Sequence, residues 1–322
     1  MTTTSAVTPR IAVVIPAYNA SGTVAAVVAG IPATVSDIIV VDDASAEPLG
    51  PLADPRVVLV RHDANRGVGG ATLTGYDAAI ARGAEVLVKM DADGQMDARY
   101  LPGLVRPIVT GAADYTKGNR FLHSAELRTM PSGRRVGNAG LSFFTKLASG
   151  YWPVFDPTNG YTAIHASLVP ALDRSRISER FFFETSMLLE LGRLRAVVHD
   201  VPIPARYQGE RSALSKRRAA GEFPPRLIAA TWRRIQRQYF IQDFTPVSLF
   251  LVAGTLFLLF GVVWGAYHWA ESIRFGVAAT TGTVMLAVLP VIIGVQLLLQ
   301  ALAQDIGNVP TEPIHEELLA AE

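Results

Sequence analysis

Two long runs near the carboxyl end of the chain, residues 244–270 and 275–304, contain no Asp, Glu, Lys or Arg. Coiled as helix, the 27 residues of the first run reach about 40 Å, more than the roughly 30 Å hydrocarbon core of a bilayer. The short connector HWAESIR (268–274) then predicts a membrane hairpin with spans over about 246–268 and 277–302. Before residue 244 the composition is that of a soluble domain, so the 18% charged content of the 322 residues is low for a local reason. The chain is accordingly divided into a globular domain (1–222), a juxtamembrane helix (223–243), the hairpin (244–304) and a tail (305–322).

Charge sets the expected orientation. Residues 206–237 hold nine Lys or Arg against two Glu, whereas the connector holds one Glu and one Arg. The positive-inside rule places the globular domain in the cytoplasm, and two spans return the tail to the same side. Residues 1–10 have no apolar run and do not read as a signal peptide. Residues 224–240 mix Leu, Ile, Trp, Tyr and Phe with four arginines, which suits an interfacial helix; a soluble surface helix is the plainer alternative. The net charge of +1 argues against nucleic acid as a partner. Thiolate and disulfide chemistry are excluded because there is no cysteine. His268 is the one ionisable residue within the spans, which gives a transporter no ion path.

In the first half, short Val/Ile-rich strands are predicted at 11–16, 37–41, 57–61 and 85–90. One helix is expected to start near Ser21 as N-cap, and another within 67–75. This alternation predicts an α/β fold with a largely parallel, Rossmann-like sheet whose strands are buried on both faces. Asp42, Asp43, Asp91 and Asp93 all fall just past strand ends, where open α/β sheets bind ligands. Carboxylates gathered at one edge repel unless a cation offsets them.

Asp91 and Asp93, two residues apart on a turn, can hold Mg²⁺ or Mn²⁺ against a diphosphate, with Gln95 as a neutral oxygen donor. Residues 65–71 (NRGVGGA) admit two readings, a loop whose backbone N–H groups approach phosphate or a tight strand-to-helix connection. Arg120, Arg134, Arg135 with Asn138, then Arg206, Arg211 and Lys216 are singly ordinary surface residues; together they suit a site that holds two anions. Asp156 opens a Pro- and Gly-containing turn. Phe181, Phe182, Phe183 and Glu184 read as core aromatics followed by an exposed Glu. The histidines show no metal-ligand spacing; His123, His165 and His199 read as structural or surface residues.

The ordered set VVIPAYN (13–19), VVDDAS (40–45), NRGVGGA, MDADGQ (90–95), GNR (118–120), RVGN (135–138) and DPTNGY (156–161) resembles family 2 glycosyltransferases of the dolichol-phosphate mannose synthase branch. The two-span tail is similar to that of bactoprenol-phosphate glucosyltransferases. The resemblance implies a GT-A fold, and inverting transfer of one sugar from a nucleotide sugar to polyprenyl (undecaprenyl or decaprenyl) phosphate. UDP-glucose leads as donor, with UDP-N-acetylhexosamine and GDP-mannose open. It also implies a multi-pass protein of the bacterial cytoplasmic membrane, a role in cell-envelope glycans and a homotetramer.

By the same resemblance, Asp91, Asp93 and Gln95 hold the metal, and Pro16, Tyr18, Asn19, Asp42 and Asp43 line the nucleotide pocket. Arg120, Arg135 and Arg206 bind phosphates, with Asn138 beside the acceptor's, and Ser212, Ser215 and Lys216 lie near the donor. Asp156 resembles a proposed catalytic base, or instead orients an arginine or a sugar hydroxyl. Two departures, DDAS for the frequent DDGS and Ala20 where Glu is usual, keep the nucleotide preference from being carried over. A phosphate monoester, with a second pKa of about 6, is already a nucleophile near neutral pH and does not require a base. Competing readings are a processive polysaccharide synthase, which usually has more spans and a motif absent here, and a non-catalytic membrane-tethered nucleotide-sugar binder or scaffold.

Overall fold

The computed structural model describes residues 9–120, 132–204 and 216–320, with the side chains of 132–138 and 216–221 excepted. The chain forms two compact units, one of residues 1–230 with 310–322 and the other of 231–309.

The first unit is built on a seven-stranded sheet. Strands β1 (Ile11–Ala17), β2 (Asp37–Asp42), β3 (Val57–Arg61) and β4 (Val86–Lys89) run parallel in the order β3-β2-β1-β4. The sheet continues through β6 (Thr162–His165), β5 (Tyr115–Asn119) and β7 (Val198–Pro202). Strand β6 is antiparallel to both neighbours, and β5 and β7 are parallel. The continuous apolar runs of β1 and β2 are buried at every residue, as strands covered on both faces require. The four expected strands are present, the last shortened to Val86–Lys89.

Helices α1 (Val24–Ala29) and α3 (Leu101–Val109) cover one face, joining Val27, Val28, Leu104 and Ile108 to Val13, Ile15, Val40 and Val88. Helix α1 does not start at Ser21, which lies in the preceding turn; Thr23 takes the N-cap position instead. The Thr23 hydroxyl makes no cap bond but donates to the carbonyl of Ala92 at 2.6 Å, linking this turn to the acidic one. The opposite face is covered by α2 (Gly67–Ala81), which approaches so closely at Gly75 that a Cβ there would lie 2.2 Å from Val14 Cγ1. Helices α4 (Ser132–Ser149) and α5 (Phe183–Leu194) pack on each other, with Gly192 against the carbonyl of Ser149.

Helix α6 (Lys216–Gln236) buries Phe223 and Leu227 against Phe182 and Ala148, while Ile228 and Trp232 are 65% and 62% exposed. In the second unit, α7 (Pro246–Phe275) and α8 (Thr281–Gly307) form a hairpin of mean hydropathy 2.4 and 2.3, each helix long and apolar enough to cross a membrane. Glycines let the two backbones meet: a Cβ on Gly261 would lie 2.6 Å from the carbonyl of Ala287, and one on Gly294 2.6 Å from the amide of Leu258. At the open end of the hairpin, Arg234 forms a bidentate pair with Asp305 at 2.8 and 2.9 Å, and Tyr239 donates to the same carboxylate. The last helix, α9 (His315–Ala320), belongs to the first unit. There the amides of Ile314 and His315 donate to the buried carboxylate of Asp114, and the His315 ring stacks on His165 at 4.6 Å.

Filling the gap at Gly75 tests the α2 contact. Gly75→Ala is expected to lower stability by about 1–3 kcal/mol through overpacking. Thermal unfolding of the purified protein in detergent would show it, with Gly22→Ala, which meets nothing within 4 Å, leaving the transition unmoved.

Candidate active site

The site begins at the last rung of β4. In register, Lys89 of β4 pairs with Thr162 of β6, Thr162 with Lys117 of β5, and Lys117 with Asp200 of β7. Paired residues on a rung share a face of the sheet, so two ammonium groups and a carboxylate lie in one row. Both lysines are fully buried, and a buried charge must be paired. The three Lys89 protons are directed at Asp91 Oδ1 (2.6 Å), Glu184 Oε1 (3.2 Å) and the carbonyl of Gly160 (3.4 Å). Burial works to lower the Lys89 pKa, but the two carboxylates outweigh it and hold the ammonium charged. Lys117 donates to the carbonyl of Asn159, and burial pulls its pKa down to about 8 against the fields of Glu184 and Asp156.

Above the rung lies the acidic turn. Asp91 and Asp93 both line a cleft at the carboxyl end of β4, together with Gln95, Arg120, Thr158 and Gly160. The turn is tightened by the Gln95 amide, which donates to Asp93 Oδ1 at 2.9 Å, and by Gly94 at φ +76°. In the same cleft, Arg120 follows β5 and grips Asp156 through Nε (2.7 Å) and Nη2 (3.1 Å). Asp156 is buried, while a third of the Arg120 side chain is exposed. Asp200 supports this pair from behind: its Oδ2 accepts from the Asn119 side chain and from the Phe155 amide, the residues just before Arg120 and Asp156. Burial raises the pKa of Asp200.

The acidic pair after β2 lies apart from these groups and is engaged by the protein. Asp42 accepts from the amides of Ser45 (3.0 Å) and Leu49 (3.3 Å) and pairs with Arg61. Burial works to raise its pKa, yet these partners hold the carboxyl below the ordinary range. Asp43 accepts from the amides of Arg66 (2.8 Å) and Gly67 (2.7 Å) at the start of α2 and contacts His62 Nδ1 at 2.7 Å. Pro16 is buried in β1, and Tyr18 and Asn19 are exposed beyond it. The Asn19 amide donates to Ser45 Oγ at 2.9 Å, with φ at +52°.

Residues 65–71 take the plainer of their two readings. The amides of Gly69 and Gly70 donate to the carbonyl of Glu179, and a Cβ on Gly69 would lie 2.3 Å from the carbonyl of Ser178. Gly69 and Gly70 spend their N–H groups on protein backbone, and Gly67 spends its own on the Asp43 carboxylate.

Glu184 departs from its reading as an exposed residue: its side chain is 13% exposed and bound to Lys89. Of the aromatics ahead of it, Phe182 and Phe183 are buried and Phe181 is exposed. Arg206, Arg211, Ser212 and Ser215 lie outside the described residues, as do the side chains of Arg134, Arg135, Asn138 and Lys216. Lys89, Lys117 and Asp200 carry no motif in the sequence, although a lysine inside the apolar run VLVKM (86–90) is a legible signal of a buried charge.

A mixed, mostly parallel sheet that gathers an acidic turn and an arginine at its carboxyl edge defines a GT-A type of fold. Residues 12–172, half of the chain, match the Glycosyl transferase family 2 model, and the chain belongs to that family. It is 34% identical over 152 residues to the UDP-N-acetylglucosamine–dolichyl-phosphate N-acetylglucosaminyltransferase of Methanococcus voltae, covering 47% of this chain and 60% of that protein. It is 31% identical to the undecaprenyl-phosphate mannosyltransferase of Micrococcus luteus, covering 60% of this chain and 82% of that one. To the polyprenol monophosphomannose synthase of Mycolicibacterium smegmatis it is 30% identical, covering 61% and 77%. Among solved structures, glucosyl-3-phosphoglycerate synthase from Mycobacterium tuberculosis, in complex with Mn²⁺, uridine diphosphate and phosphoglyceric acid, superposes with a TM-score of 0.51. At 19% identity, over 70% of this chain and 78% of that one, the likeness is one of fold.

Proposed function

We propose that the protein transfers one sugar, with inversion, from a nucleotide sugar to a polyprenyl phosphate at a membrane surface. The observation that carries this is one cleft lined both by a two-carboxylate turn, Asp91 and Asp93, and by Arg120. The acceptors in the relatives' names, dolichyl, undecaprenyl and polyprenol phosphates, support the lipid half of the reaction. UDP-glucose is our first candidate donor; N-acetylglucosamine and mannose, the sugars in those names, are the alternatives.

Among the described residues no three His, Cys, Asp or Glu gather to hold a metal. Two carboxylates and an amide oxygen suit instead an oxygen-seeking cation completed by donor phosphates. Asp91, Asp93 and Gln95 would hold Mg²⁺ or Mn²⁺, and a bound divalent cation supplies charge stabilisation for a leaving diphosphate. Arg120, a third exposed in the cleft and held by Asp156, is the proposed phosphate contact. Both Asp156 oxygens accept from Arg120, which favours the orienting role over that of a base. An acceptor phosphate brings its own nucleophilic oxygen, so the residues' work is placement and neutralisation. Arg135 and Asn138 are proposed for the acceptor phosphate, and Arg206, Ser212 and Lys216 for the donor, by resemblance alone.

The cation role gives the first test. Asp93→Asn is expected to lower lipid-product formation by roughly 10²–10³-fold, the scale of one lost charge-stabilising group. A chelator should abolish wild-type activity, and Mg²⁺ or Mn²⁺ should restore it. Full activity of Asp93→Asn in excess chelator would remove the carboxylates from this role.

We further propose that α7 and α8 span the cytoplasmic membrane with the catalytic unit on the inside, α6 lying at the interface. The basic stretch before α7 supports this. So does α9, which docks on Asp114 of the unit that holds the site and so shares its side. Since the chain has no cysteine, single cysteines report without background. In intact cells, Ala278→Cys between the helices should react with an impermeant maleimide, whereas Ala33→Cys and Glu317→Cys should not. The opposite pattern would invert the topology.

A further inference from the structure

We propose that Lys89 is a positioning residue that presents Asp91 to the cation, with Glu184 as its anchor. The inference rests on the reading that Asp91 and Asp93 hold a divalent cation.

A lysine is an expensive way to end a buried strand. Replacing buried ion pairs by apolar groups is often neutral or stabilising, so the pair itself is a poor reason for a charge here. Yet Lys89 is fully buried in a strand whose other residues are Val86, Leu87 and Val88. All three of its protons have acceptors, so its ammonium is fixed in direction as well as in charge.

Two of those acceptors are carboxylates from different elements. Glu184 projects from the first turn of α5, where the helix dipole favours a negative charge. It is 13% exposed and holds the ammonium from the protein side. Asp91 is the outer partner, 34% exposed and on the cleft wall. Pinning its Oδ1 at 2.6 Å fixes the orientation of a carboxylate that lines the cleft. The site is also closed on its third side. A Cβ on Gly160 would lie 2.6 Å from Lys89 Nζ, 2.9 Å from Asp91 Oδ2 and 3.3 Å from Glu184 Oε1. Glycine at 160 therefore preserves the contact between lysine and aspartate. The charges also fit: one ammonium against two carboxylates leaves a net negative charge at Asp91 for a cation to meet.

Electrostatics and positioning predict opposite signs, which makes the role measurable. If Lys89 were only a competing positive charge, its removal would tighten cation binding. As a positioning residue, its removal frees Asp91 and weakens binding.

The test titrates Mn²⁺ into the purified full-length protein in detergent, with free Mn²⁺ read by electron paramagnetic resonance. Lys89→Met is expected to weaken Mn²⁺ about tenfold, the scale of one charge-assisted hydrogen bond. Glu184→Ala, which removes the anchor, should weaken binding in the same direction as Lys89→Met. Gly160→Ala, which changes no charge but crowds the contact, should weaken binding as Lys89→Met does. Unchanged or tighter Mn²⁺ binding in Lys89→Met overturns the proposal. Where that variant does not fold, Gly160→Ala decides alone, and wild-type affinity there overturns it. Asp93→Asn separates the two levels: if it binds Mn²⁺ as well as wild type, the cation reading itself fails, whereas loss in Asp93→Asn with wild-type binding in Lys89→Met rejects only the lysine's role.

Discussion

Lys89 and Lys117 face the same side of the sheet at the last rung shared by β4 and β6, on either side of Thr162, and neither reaches solvent. Two buried ammonium groups at this level demand oxygen acceptors, and the structure draws them from three separate segments. Asp91 comes from the turn after β4, Glu184 from the first turn of α5, and the carbonyls of Asn159 and Gly160 from the loop before β6. Asp156 and Glu184 add their fields at Lys117. Satisfying the rung therefore assembles the cleft. The residues that neutralise the lysines are the cleft's own walls or their immediate neighbours, so fold and site share one electrostatic requirement.

The same economy governs the loops. Asp42 and Asp43 sit at the end of β2, at the sheet edge, and are engaged by amides, by Arg61 and by His62. Asp43 in particular accepts from two amides at the start of α2, where free N–H groups and the helix dipole favour a carboxylate. Asp114 does similar work at the far end of the sheet, accepting from the amides of Val197, Ile314 and His315. One buried carboxylate thus holds the chain's final helix to the first unit. In the second unit, Asp305 gathers Arg234 and Tyr239 at the open end of the hairpin.

Much of this was legible in the sequence, for identifiable reasons. Strands β1, β2 and β4 announce themselves as Val/Ile runs because both faces are buried, β3 keeps such a run although it is an edge strand with Leu59 and Arg61 exposed, and the tail announces itself by its lack of charge. The acidic turn was visible because two carboxylates follow an apolar run. Strands β5 and β7 were not, since YTKGN and VHDVP carry the polar residues that build the site and so break the apolar pattern. Strand β6, four residues of TAIH, is too short to show a period. The start of α1 was misplaced because Ser21 looks like a cap, whereas the working contact is the Thr23 hydroxyl on Ala92. Glu184 was read as exposed because its partner, Lys89, is ninety-five residues away in the chain. Long-range charge pairing leaves no local periodicity to find.

What the cleft does with this arrangement is decided most directly by weighing the lipid it makes. Purified full-length protein in detergent, given Mg²⁺ or Mn²⁺ and undecaprenyl phosphate, would be offered UDP-glucose, UDP-N-acetylglucosamine and GDP-mannose in turn, with the lipid fraction read by mass spectrometry. Transfer of a single sugar predicts a lipid heavier than undecaprenyl phosphate by one hexose or one N-acetylhexosamine with one of these donors, and release of the matching nucleoside diphosphate in equal amount. Lipid carrying several sugars would point to processive synthesis, and unmodified lipid with every donor, from protein that still binds a nucleotide sugar, would contradict the assigned reaction.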